Sequence, residues 1–225
     1  MFRSNRSFMR LTMITAVALL AACSAADQAV APTVQHTARP ANAPSLDVIT
    51  TAVAPDSLSA DVTVTPTGGM FVLGANAVYF PANSICDPVT STYGPGHWDD
   101  PCEPLTTPIN FHAEVRRTLA GQSWIDFTPA VRFVPTTSSS QVVWMLMKIP
   151  ATVTAANYAS FGIQWMPNGT PDVLVNEALT DPTLKTYVDV ARGVSFRRVK
   201  HFSGYIVFTD VAVDPLRLDA TIPLW

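Results

Sequence analysis

The stretch Val199-Lys200-His201-Phe202-Ser203-Gly204-Tyr205, followed by the apolar run Ile206-Val207-Phe208, decides how the chain is read. It has the form of a corner leading into a closing strand, and the residues before it read as the other strands of one β-domain. Asp61-Val62-Thr63-Val64-Thr65 alternates. Thr67-Gly68-Gly69 turns the chain into Met70-Phe71-Val72-Leu73, and Ala77-Val78-Tyr79-Phe80-Pro81 follows. Ile109, Phe111, Ala113 and Val115 alternate with Asn110, His112, Glu114 and Arg116, the pattern of a strand with one buried and one solvated face. This places His112 on the solvated side. Val142 to Ile149 is almost continuously apolar, as in a central strand covered on both faces.

Trp124-Ile125-Asp126-Phe127, Val131-Arg132-Phe133-Val134 and Phe161 to Met166 read as further strands, and Trp124, Trp144 and Trp165 are expected in the core. Pro167-Asn168-Gly169 is a turn, and Val173-Leu174-Val175 is placed to pair back across it. Asn176 to Leu184 is a loop or short helix, and Tyr187 to Phe196 is a hairpin. Nine to twelve short strands with a turn signal about every ten residues predict an all-β antiparallel sandwich over 58–215. The tail 216–225 shows no alternation.

Composition supports the β class, and the N-terminus points to a compartment. Only 14% of the 225 residues are charged, 48% are hydrophobic, and 19 are proline, against a usual charged share of about 25%. Residues 1–22 read as a secretory leader: Arg3, Arg6 and Arg10 precede the apolar run Leu11–Leu20, which is too short to span a bilayer. Leu20-Ala21-Ala22-Cys23 resembles a bacterial lipobox. That resemblance implies lipidation of Cys23 with diacylglycerol and fatty-acyl chains such as palmitate. It also makes Cys23 the new N-terminus and anchors it in the cell envelope. Ser24 stands where an inner-membrane retention aspartate would be, which points to the outer membrane in a two-membrane cell. Residues 23–57, rich in Ala, Pro and Thr, read as a flexible tether. Without the three leader arginines, the 17 acidic residues outnumber the remaining basic ones and the net charge is −6. This argues against a nucleic-acid-binding role, which needs a basic face.

Cys86 and Cys102 are then the cysteines left, in an oxidising compartment, and are expected to pair. Closing a ring of roughly 17 residues contributes about 3 kcal/mol in the chain-entropy treatment. The ring holds Tyr93, His97 and Trp98 among Gly and Pro. Two readings stand side by side: a displayed recognition loop with Tyr93 and Trp98 as anchors, as in a carbohydrate-binding module, or a stapled Ω-loop with Trp98 packed inward. Asp87, Asp99, Asp100 and Glu103 are oxygen ligands of a kind Ca²⁺ takes, without EF-hand spacing. Zinc lacks paired His or Cys spacing, and no cofactor is expected. Gly121-Gln122-Ser123-Trp124-Ile125 falls short of a nucleophile elbow, and no phosphate or dinucleotide fingerprint occurs.

Three pieces, in order, resemble a ZU5 domain, the β-sandwich of ankyrins and netrin receptors. They are Gly68-Gly69-Met70-Phe71-Val72-Leu73 running into Ala77-Val78-Tyr79-Phe80-Pro81-Ala82, then Phe127-Thr128-Pro129-Ala130-Val131-Arg132-Phe133-Val134-Pro135, then His201-Phe202-Ser203-Gly204-Tyr205. The family's proline-glycine-alanine turn is here Pro81-Ala82-Asn83, Cys86 to Pro104 reads as an insertion, and Ala151 to Lys185 matches poorly. The resemblance implies binding to a protein or envelope partner. In a subset of the family it implies self-cleavage between Phe202 and Ser203, with Ser203 as nucleophile and His201 assisting proton transfer. The plainer alternative is a packed corner, with Phe202 in the core and Ser203 bonded to local backbone.

Overall fold

A computed structural model of the chain describes residues 43–45, 57–118, 122–138 and 140–209. The leader, Cys23, most of the tether and the tail lie outside the described residues.

The fold is an all-β antiparallel sandwich. β1 (Ser57–Val64), β4 (Ile109–Arg117), β5 (Ser123–Thr128), β12 (Gly204–Thr209) and β8 (Phe161–Met166) form one sheet in the order β1-β4-β5-β12-β8. β2 (Gly69–Leu73), β3 (Asn76–Phe80), β7 (Val143–Lys148), β10 (Val194–Val199) and β9 (Tyr187–Asp189) form the other, in the order β2-β3-β7-β10-β9. β6 (Val131–Arg132) and β11 (His201–Phe202) make a two-residue ladder of their own.

Alternation explains the first sheet. On β4, Phe111, Ala113 and Val115 are buried while His112 is exposed, where its Nδ1 lies 2.8 Å from Asp61 Oδ1 on β1. β1 starts at Ser57, earlier than the alternation from Asp61 suggests. β4 is long enough to pair Ser57 with Arg116, and Leu58 and Ala60 continue the inward face. The nearly continuous run on β7 sits mid-sheet and is buried on both sides. The Val173–Val175 segment does pair back, through a single bridge from Val175 to Trp165. Asn176–Leu184 holds two 3₁₀ turns, each begun by a side-chain cap from Asn176 or Asp181.

Gly68 takes φ +71° in the β1–β2 turn. A Cβ there would lie 2.2 Å from the Phe80 carbonyl oxygen, so only glycine fits. The main core lies between the sheets and includes Phe80, Phe111, Phe127, Met145, Val199 and Phe202. Trp144 and Trp165 are buried as expected. Trp124 is not: it is half-buried, and the Arg116 guanidinium lies 5.5 Å from its ring centre. It falls between Ser123 and Ile125, which take the inward positions of β5.

Candidate functional site

His201-Phe202-Ser203 forms the crossover between the two sheets. β10 ends at Val199 in the second sheet and β12 begins at Gly204 in the first, so the tripeptide turns through the interior. β6 stitches it in place, pairing His201 with Arg132 and Phe202 with Val131, while Phe133 N donates to the Lys200 carbonyl at 2.8 Å. Gly204 allows close passage, since a Cβ there would meet Met166 Cε at 2.6 Å.

Phe202 has no solvent exposure and is the hub of an aromatic cluster. It stacks on Phe127 at 4.0 Å and meets Phe80, Phe111 and Phe133 edge-on at 5.3, 5.4 and 4.9 Å. His201, equally buried, reaches Glu177 Oε1 through Nε2 at 2.8 Å. The Tyr205 hydroxyl donates to the His201 carbonyl at 2.9 Å and lies 3.4 Å from its Nδ1. Glu177 also accepts from Arg197 Nη2 at 2.9 Å, and Arg197 Nη1 donates to the Ile163 carbonyl at 2.7 Å. A buried anion and a buried cation thus face each other beside the corner.

Burial pushes the Glu177 carboxyl up, but the His201 and Arg197 partners outweigh it and hold it below the usual carboxylate value. Tyr205 is pushed well up by burial and by the Glu177 charge. Tyr93 is raised by burial, partly offset by a hydrogen bond with the Ser203 hydroxyl.

The Cys86–Cys102 disulfide is present, with Cα atoms 5.6 Å apart. The loop it closes folds down onto the corner. Trp98 stacks on His201 at 4.0 Å and 21°, and meets Trp165 edge-on at 6.0 Å. The Tyr93 hydroxyl donates to the Phe202 carbonyl at 2.8 Å. Arg132, buried, donates from its two terminal nitrogens to the Asp100 and Pro101 carbonyls. Lys200 Nζ lies 2.7 Å from Asp99 and 2.7 Å from Asp181, tying the loop to the second 3₁₀ turn.

Trp98 therefore packs inward, with its indole against His201, and one ring face is taken. Tyr93 stays partly exposed but its hydroxyl points to the corner, and half-exposed His97 bonds Asp100 through Nδ1 at 2.7 Å. Ser203 bonds a distant side chain rather than local backbone: Trp165 Nε1 donates to its Oγ at 2.6 Å. Among the described residues no hydrogen bond links the His201 ring to Ser203: Nε2 faces Glu177 and Nδ1 faces the Tyr205 hydroxyl.

The loop acids are spread over separate tasks. Asp87 accepts from Val89 N at 2.9 Å, Asp99 holds Lys200, and Asp100 holds His97. Among the described residues no group of three or more His, Cys, Asp or Glu is placed to hold a metal ion.

Glu177, Arg197, Arg132, Trp165 and Tyr205 complete the site; the sequence pointed to Trp165 as core and to Arg132 and Tyr205 as parts of motifs, and to none of the five as a site residue. The available signal was the pair Arg197-Arg198 between the apolar residues Phe196 and Val199, of which Arg197 is the buried one.

Comparison of the chain with protein-family models, with curated proteins and with solved structures finds no match in any of the three.

Proposed function

We propose that this is a lipid-anchored extracytoplasmic β-sandwich, ZU5-like in its closing corner, that holds contacts with a protein or a cell-envelope component. The observation that carries the reading is the Cys86–Cys102 disulfide, which fits an oxidising compartment. The loop it closes is docked rigidly on the closing corner, so one end of the sandwich is a preformed surface. Val89 and Leu179, 90% and 82% exposed, are apolar side chains carried by that loop and by the first 3₁₀ turn. Among the described residues no helix is long and apolar enough to cross a membrane; in this reading the lipid on Cys23 supplies attachment. Fractionating cells that express the native chain or Cys23→Ser tests it. The native protein is expected in the membrane fraction and the variant outside it but still extracytoplasmic. A variant that stays membrane-bound, or a native protein found in the cytoplasm with free thiols, overturns the reading.

A second reading, self-cleavage, is favoured by one observation: the Tyr93 hydroxyl already donates to the carbonyl that would be attacked. Ser203 Oγ would add to the Phe202 carbonyl carbon, the amide nitrogen would leave with a proton, and water would hydrolyse the ester. Two fragments on a denaturing gel, lost in Ser203→Ala and slowed in Tyr93→Phe, support it. A chain that stays whole after hydroxylamine treatment rules it out.

A further inference from the structure

The central strands of the second sheet, β3, β7 and β10, are buried on both sides. Along β3, β7 and β10, the residues that alternate with the inter-sheet set form a separate apolar cluster on the face turned away from the first sheet. Trp144, Leu146 and Val194 in this cluster have no exposure at all. An outer face this closed needs a layer over it. Among the described residues, the member contributed from outside the strands is Ala43, only 7% exposed, within the stretch read as a tether. Exposure then rises through Pro44 to Ser45.

We propose that this outer face is the seat of the chain's own linker, with Ala43 as the side chain that locks it. The chemistry suits the occupant. An Ala-Pro segment is extended, and proline brings no N–H that would need a partner over a flat apolar surface. Trp144 Nε1, buried there without a hydrogen-bond partner, leaves a donor for a backbone carbonyl of a segment settling more deeply.

The consequence for the anchor rests on the lipidation reading. Docking at Ala43 leaves the span from Cys23 to residue 43 as the free leash, instead of the span from Cys23 to β1 at Ser57. At ~3.3–3.6 Å per residue, the maximum reach falls from about 120 Å to about 70 Å.

The test is thiol labelling of the full chain in membranes. A lipidated Cys23 and the disulfide leave no free thiol, so Ala43→Cys and Ser45→Cys each add one. Maleimide is expected to label Cys at 43 at least about tenfold more slowly than at 45, since protection reports local opening. Tyr79→Glu, a change at the half-buried rim of the cluster, is expected to abolish that difference while the disulfide stays intact. Equal rates at 43 and 45 overturn the proposal. So does protection that fades on dilution after detergent extraction, which would assign the seat to the linker of a second copy. Label appearing on Cys23 in the mass spectrum would instead sink the anchor reading alone, leaving the docking result intact.

Discussion

Glu177→Gln is the substitution that probes the corner most sharply. Arg197 has no solvent exposure, and the Glu177 carboxylate is the acid that faces it, 2.9 Å away. The glutamine keeps the shape and one acceptor oxygen but removes the negative charge, leaving a guanidinium inside the sandwich with neutral acceptors alone, among them the Ile163 and Arg198 carbonyls. Breaking a buried pair in this way costs about 3–5 kcal/mol. His201 loses its charged partner in the same step, and these effects overlap rather than add. Taking about 3 kcal/mol and a urea m-value of about 2 kcal/mol/M, the unfolding midpoint drops by about 1.5 M. The double variant Glu177→Leu with Arg197→Met removes both charges and is expected to regain at least half of that loss, because the uncompensated ion is gone. Urea titration of both proteins with the disulfide intact reads the result. A Glu177→Gln midpoint within about 0.2 M of the native one refutes the reasoning, as does a double variant no better than the single.

Other perturbations act on the same architecture. The Glu177 carboxyl is held below its ordinary 4.5, so its contribution is present above that pH and is lost as pH falls through the depressed folded value. The stability gap between native and Glu177→Gln proteins should therefore close under acid, and a gap that widens below pH 4 speaks against it. Reducing Cys86–Cys102 should lower stability by about 3 kcal/mol. It should also free Trp98 from His201, seen as greater acrylamide quenching; unchanged quenching would mean that Arg132 and Lys200 hold the loop unaided. Phe202→Ala, emptying the hub of the ring cluster, should cost about 3–5 kcal/mol in thermal or urea unfolding. Gly68→Ala should cost more than about 1 kcal/mol, since the new Cβ meets the Phe80 carbonyl at a positive φ.

Much of the sandwich is legible wherever one face of a strand meets water. β4 shows this: Phe111, Ala113 and Val115 point in, and His112 points out to Asp61. On β3, β7 and β10 the same rule fails to tell inner from outer, because the outer face carries a buried apolar cluster of its own. Arg197 is hidden for that reason: its inward direction emerges only when Phe196 is seen to belong to the outer cluster. The corner itself is local in sequence, but its partners are not. Tyr93 reaches the Phe202 carbonyl across 109 positions, Trp165 reaches Ser203 across 38, and Glu177 reaches His201 across 24. Such contacts are set by how loops close over the end of a sandwich, and no periodicity encodes them. The disulfide could be anticipated from the compartment that the leader implies and from cysteine number. That its loop lies on His201, with Trp98 stacked there, could not.

The measurement that tests the account most directly is the intact mass of the protein purified from the membrane fraction of the cell that makes it. The account predicts one species that begins at Cys23, carries the mass of diacylglycerol and acyl chains, and is two hydrogens lighter for the Cys86–Cys102 bridge. A chain that begins elsewhere without added lipid, or that carries three free thiols, contradicts it.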